Sequence, residues 1–240
     1  MHLSRFYTKA KLDLLLCMLA VICLWLMLTA SSDPVLPWLK GTSVAGAFEQ
    51  FSTGNQIVFD LSVGVLSAIG MFYLLVRLPE YERKIRIKRQ LNFSYQSFKG
   101  SVIQIFVGAI QSSYNTETVN RLMNQREFRD FFKDPYILGQ NKWQGVENKM
   151  SGFMLRQLAL ETEVLLNEFQ HVLSVIDIRD PDVYSFMKRL SETLYRAKTW
   201  PTDYDSTKEI FAFFWTILSG WSFEEGYAES EYILDMIAKL

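Results

Sequence analysis

Two long apolar runs near the N-terminus constrain this chain more than any other feature. Leu14–Ala30 reads LLLCMLAVICLWLMLTA, seventeen residues without a charge. Ile57–Val76 reads IVFDLSVGVLSAIGMFYLLV, twenty residues in which Asp60 is the one charged group. A helix needs about 20 residues to cross a hydrocarbon core of about 30 Å, and in lipid only a helix or a closed barrel satisfies every backbone N–H and C=O. Both runs are therefore expected to form transmembrane helices. The first admits a second reading. Arg5, Lys9 and Lys11 ahead of an apolar stretch that ends Ala30-Ser31-Ser32 have the layout of a cleaved secretory signal, although seventeen residues exceeds the roughly 7–15 of a signal core.

Lysine and arginine placement sets the expected orientation. Three basic residues precede the first run, and six follow the second: Arg77, Arg83, Lys84, Arg86, Lys88 and Arg89. The connection 31–56 carries Lys40 alone. Both termini are thus expected in the cytoplasm, joined through a short external loop whose Pro34, Pro37 and Trp38 suit the outer interface. Three regions follow: a two-span membrane domain over 1–78 with external loop 31–56, a basic juxtamembrane segment over 79–93, and a cytoplasmic domain over 94–240. Arg83, Lys84, Arg86, Lys88 and Arg89 are expected to lie at the surface of anionic lipid, each worth about 1 kcal/mol there.

Within the second run, Gly64, Ser67 and Ala68 stand at i, i+3 and i+4. Small residues in that pattern let a neighbouring helix backbone approach closely. Cys17 and Ala20 make a weaker patch on the first run. The neighbour is either the other span of the same chain or a second copy. Asp60 is the intramembrane acid. An ionisable group in hydrocarbon is costly and points to function by default. Asp60 is expected in the first turn of a helix entering from outside, however, where the dipole also favours an anion, so an interfacial acid and a polar path stay open as readings.

The cytoplasmic part reads as helical, with a 3.6-residue period and helix caps in place of alternating strands. Phe98, Val102, Ile105, Phe106 and Ala109 form an apolar stripe. Asn115 or Thr116 caps a helix expected to run to about Phe132, and Asp134 to Gly145 reads as a loop. A long helix is expected from Val146 to Ile176, with Leu158, Leu165 and Val172 seven apart. Asp180-Pro181 opens the next, which Trp200-Pro201 stops. Ser206 with Glu209 and Ser222 with Glu225 have capping-box spacing and predict two last helices. Between them, Phe211–Leu218 is too short to span a bilayer and is expected in the core. The fold class is therefore all-α: a hairpin of two transmembrane helices followed by a bundle of five or six.

The chemistry-bearing residues are few. Cys17 and Cys23 both lie in the first apolar run, so neither a disulfide scaffold nor a four-cysteine zinc site is available. There is no glycine-rich phosphate loop and no nucleophile elbow. Glu168 and His171 have Glu-x-x-His spacing, but His2 is the only other histidine, and a di-iron bundle needs two such motifs. No cofactor, no metal and no enzyme activity are expected; a tethered enzyme would have to build its site from scattered carboxylates.

Charge is divided unevenly. Residues 1–90 hold 10 basic and 6 acidic groups, whereas 201–240 hold 2 and 8. No strong basic footprint exists beyond residue 90, so nucleic-acid binding is unexpected. The acidic tail, Glu224, Glu225, Glu229 and Glu231 with Asp235, is read as one face of a terminal helix. That face is either solvated, a dock for a basic protein partner, or docked on the chain's own basic stretch.

In plan, with two spans at 14–30 and 57–76 and a helical domain after them, the chain resembles the small two-span effectors of bacterial anti-phage systems, including those of retrons. That resemblance implies a bacterial inner-membrane protein, silenced by a partner and compromising the membrane once released. The leading expectation is a non-enzymatic, homo-oligomerising effector whose cytoplasmic domain binds or senses a protein partner. The alternative is a passive anchor that recruits a soluble complex, for which Asp60→Asn would be silent.

Overall fold

A computed structural model describes residues 2–31, 55–111, 113, 115–137, 139–198, 204–222, 226–228 and 230–240. The chain is mostly helical and divides into two compact units, Met1–Arg83 and Lys84–Leu240. The division falls inside the basic segment 79–93.

The first unit holds α1 (His2–Ala30) and α2 (Gln56–Phe72), followed by a π-helical turn, Tyr73–Arg77. Lys11–Ala30 of α1 and the continuous helical stretch that α2 opens at Gln56 are each long and apolar enough to cross a membrane. The helices α1 and α2 pack on each other through a 4–3 spaced seam. On α1 the covered positions include Leu16, Ala20, Cys23, Met27 and Ala30; on α2 they include Val58, Ser62, Val65, Ile69 and Phe72. Spacings of four and three keep one stripe facing a partner helix. Asn55 caps α2, its side chain accepting from the Ile57 and Val58 amides. Asp13, ahead of the first apolar run, forms an ion pair with Arg77 just past the second, so the two helices run antiparallel.

The next helix, α3 (Leu78–Ile110), contains the division at Arg83–Lys84, and its part in the second unit buries Leu91, Tyr95, Phe98, Val102 and Phe106 on one face. Phe106 sits at the centre of an aromatic core. Its ring lies 5.2 Å from Trp143, 5.6 Å from Phe214 and 6.0 Å from Phe211, in edge-on or tilted geometries that aromatic quadrupoles favour. The expected core helix across Phe211–Leu218 belongs to α9 (Tyr204–Ser219), with Phe211, Phe214 and Leu218 buried.

Several boundaries depart from expectation, each for a capping reason. The helix expected from 116 to 132 is two: α4 (Thr116–Leu122), capped by Asn115, and α5 (Gln125–Lys133). Asn124 interrupts it by accepting from the Arg126 and Glu127 amides at 2.9 and 3.3 Å, satisfying the orphan donors of a new start. The expected loop through Gly145 holds α6 (Lys142–Lys149), opened by a capping box between Asn141 and Gln144. Gly145 lets that helix lie against Tyr136, whose ring a Cβ there would meet at 2.6 Å. The long helix therefore starts later, as α7 (Gly152–Val175) capped by Ser151; it packs on α8 (Pro181–Lys198), which opens at Asp180-Pro181 as expected.

Near the C-terminus, α9 begins at Tyr204, ahead of the expected start at Ser206. Ser222 does not open a helix. Trp221–Ser222 (β1) pairs antiparallel with Gly226–Tyr227 (β2), and the last helix, α10, spans Tyr232–Ala238. Gly220 and Gly226 have φ of 66° and 74°, a left-handed backbone that turns the chain where a helix would need αR. The second unit thus contains more helices than the five or six expected, because polar caps divide the runs that apolar period alone joins.

Candidate functional site

The small-residue face of α2 is uncovered. Gly64, Ser67 and Ala68 are all exposed, and a Cβ added at Gly64 would meet nothing within 4 Å. The seam with α1 uses the other side of the helix, where Ser62 is buried and donates to the Val58 carbonyl at 2.7 Å. The tight packing of the two spans on each other through Gly64, Ser67 and Ala68, one of the two expected neighbours, is therefore not what the seam uses. On α1, Ala20 is partly covered and Cys17 is exposed. Asp60 lies on the same open side as Gly64, one helical turn before it, and accepts from the Gln56 amide at 3.1 Å. Gln56 opens the helix, so Asp60 falls beyond the first turn, past the reach of most of the dipole.

The basic residues Arg83, Lys84, Arg86, Lys88 and Arg89 lie on α3. Arg83, Arg86 and Arg89 are exposed, while Lys84 and Lys88 are partly covered. Lys88 Nζ donates to the Ala238 carbonyl in α10. Of the acidic tail, Glu224, Glu225 and Glu229 lie outside the described residues. Glu231 is not a free docking charge: its carboxylate pairs with Lys99 of α3.

Lys99 was invisible to charge counting and is the most unusual residue of the second unit. It has no exposed surface, one turn beyond the buried Tyr95 on the core face of α3. Burial pushes its ammonium below the ordinary lysine range, and the Glu231 carboxylate partly restores it. Burial, with the Glu231 charge added, pushes the Tyr95 phenol well above its ordinary value. A signal existed in the sequence. Tyr95, Lys99, Val102 and Phe106 share one stripe at helical spacing, which places a lysine where only a paired charge is tolerated.

Beside this pair the surface opens into a cavity of about 510 Å³ lined by Gln125, Arg126, Arg129, Tyr227 and Glu231. Arg129 donates to the Ser219 carbonyl at 2.7 Å and lies 4.7 Å over the Tyr227 ring. Gln125 is 8% exposed and its Oε1 has no hydrogen-bond partner among the described residues; the same holds for Glu231 Oε2. Gly220 makes room for the Gln125 amide, which a Cβ at Gly220 would meet at 2.4 Å. A second cavity of about 410 Å³, more apolar, shares Gln125 and Ala228 and reaches Tyr95, Phe186 and Tyr232.

No family model matches the chain, and no curated protein or solved structure does.

Proposed function

We propose that the chain is a non-enzymatic, two-span protein of the bacterial inner membrane, with both termini cytoplasmic and a helical bundle after the hairpin of spans. Copies associate through the α2 face that carries Asp60, Gly64, Ser67 and Ala68. Association perturbs the membrane when a protein partner of the cytoplasmic bundle releases it, as an effector in anti-phage defence would. One observation carries this reading: α1 covers the opposite side of α2, and the small-residue side is left open. In a bilayer, helix association draws on close backbone approach and interhelical hydrogen bonds, and that open side offers both. Asp60 on the same side would meet its copies in a desolvated seam and give the assembly a polar path. Arg83, Arg86 and Arg89 would rest on anionic lipid.

Crosslinking in native membranes tests it. Cysteines placed at Ala68 in a chain carrying Cys17→Ser and Cys23→Ser should join copies, and cysteines at Ser62 should not. Crosslinking at neither position would favour the passive anchor.

A further inference from the structure

The helix α7 carries apolar side chains on two faces, and the core uses one of them. Leu158, Leu165, Phe169 and Val172 are buried inside the second unit. On the other side, Phe153, Leu160 and Val164 are each more than half exposed. Gln157, Asn167 and His171, also exposed, complete a row in which spacings of four and three alternate from 153 to 171. A row of that period is a seam along which another helix packs, its polar members fixing the register. A helix that is apolar on two sides is ordinarily covered on both. The row borders a hollow of about 430 Å³ between α7 and α3. Met154, Leu160 and Glu161 wall it on one side, and Ser101, Gln104 and Ile105 on the other.

Charge selects the occupant. Glu161 and Glu168, seven apart, flank the row on the side of the hollow, and neither has an ion pair among the described residues. The hollow's α3 wall brings no charge of its own. Arg156, on the opposite flank, lies back beside Gly152 in the first turn. A second copy of the chain fits badly. Laid antiparallel, Glu161 and Glu168 would face carboxylates like themselves; laid parallel, Glu168 would face Glu163 of the copy. An anionic lipid surface is repelled by the same groups. We infer that this face of α7 docks an amphipathic helix of a protein partner. Its apolar row packs on Phe153, Leu160 and Val164, and its basic residues, two turns apart, meet Glu161 and Glu168. One of its side chains fills the hollow. The inference rests on the proposed function only in taking the cytoplasmic bundle to bind a protein partner, and not on association of the spans.

Two synthetic helical peptides are the probes. Both present Leu and Ile along a row of about four heptads, one with Lys and the other with Glu at the flanking positions. Fluorescence anisotropy of each labelled peptide is followed against the full chain in phosphatidylcholine nanodiscs, with empty discs as the blank. The Lys peptide should bind tighter than the Glu peptide by roughly tenfold or more, and less tightly as salt rises. Leu160→Ser with Val164→Ser should weaken it by roughly tenfold. Glu161→Lys with Glu168→Lys should reverse the preference, and an unchanged thermal midpoint shows that each variant is folded. In a chain carrying Cys17→Ser and Cys23→Ser, the Lys peptide should slow maleimide alkylation of Leu160→Cys. Absence of Lys-peptide binding at about 100 μM, equal affinity for the two peptides, or binding indifferent to the changes at Leu160 and Val164 would overturn it. So would protection of Leu160→Cys by phosphatidylglycerol added to the discs, which would assign the face to lipid. Crosslinking of the spans through Ala68→Cys is read separately, so loss of peptide binding with that crosslink intact strikes this inference alone.

Discussion

Lys99, with no exposed surface, rests its ammonium on the Glu231 carboxylate, 132 residues further along the chain. The pair joins the middle of α3 to the residue that precedes α10. A second lysine of α3, Lys88, holds the far end of α10 through the Ala238 carbonyl. The C-terminal helix is thus fastened to α3 at both of its ends, once through a charge and once through a main-chain oxygen.

Removing one member of the buried pair leaves the other uncompensated. Glu231→Gln should destabilise the second unit by on the order of 3 kcal/mol, and Lys99→Met with Glu231→Gln together should recover part of that loss. Denaturant midpoints of the parent and the two variants check the sign and the partial recovery. Equal loss in the single and double variants would argue that Glu231 contributes through packing rather than charge.

Stability at alkaline pH should depend on Tyr95. Its folded-state pKa lies above the ordinary 10.0, so the folded chain keeps a proton that the unfolded chain gives up as pH rises past that value. Stability associated with Tyr95 is fully present below pH 10 and is lost as pH climbs toward the folded pKa. Tyr95→Phe should flatten this decline, measured as thermal midpoint against pH from neutrality upward.

Gly220→Ala combines a positive φ of 66° with a Cβ 2.4 Å from the Gln125 amide oxygen. A loss of about 1–3 kcal/mol is expected from the strained backbone alone. A thermal midpoint unchanged from the parent would show that the turn after α9 rearranges freely.

Phe106→Ala should cost about 3–5 kcal/mol, because the ring is fully buried and the aromatic neighbours around it cannot all collapse into the space. The same change at Phe93, which is 67% exposed, should be nearly silent. Urea denaturation of both variants measures the contrast.

Legibility of the fold followed the kind of signal involved. Apolar length identified Leu14–Ala30 and Ile57–Val76 as stretches able to span a membrane, because length and charge are local properties of the sequence. The Phe211–Leu218 run was readable as core for the same reason. Helix boundaries were not, since Asn124 and Asn141 end one apolar rhythm and start another through side-chain bonds to backbone amides that period alone does not register. Ser222 with Glu225 has the spacing of a capping box, yet glycines at 220 and 226 turn the chain back on itself before a helix begins. Which side of α2 meets α1 was also hidden: Ser62 and Gly64 are both small, and the choice between them depends on the partner helix. The cavity beside Glu231 draws on α5, β2 and the start of α10, elements separated by about a hundred residues, so no local motif announces it.

Perturbation of the membrane by associated spans is tested by membrane potential, read with a voltage-sensitive dye in bacteria induced for the full chain. A truncated chain beginning at Pro79 and the variants Gly64→Leu and Asp60→Asn are measured beside it. Depolarisation is expected with the full chain and not with the truncated one, with a loss on the order of tenfold for Gly64→Leu, whose added side chain blocks close helix approach. Asp60→Asn should reduce the current without preventing association. An intact potential with the full chain accumulated in the membrane, or depolarisation unaffected by Gly64→Leu, would contradict it.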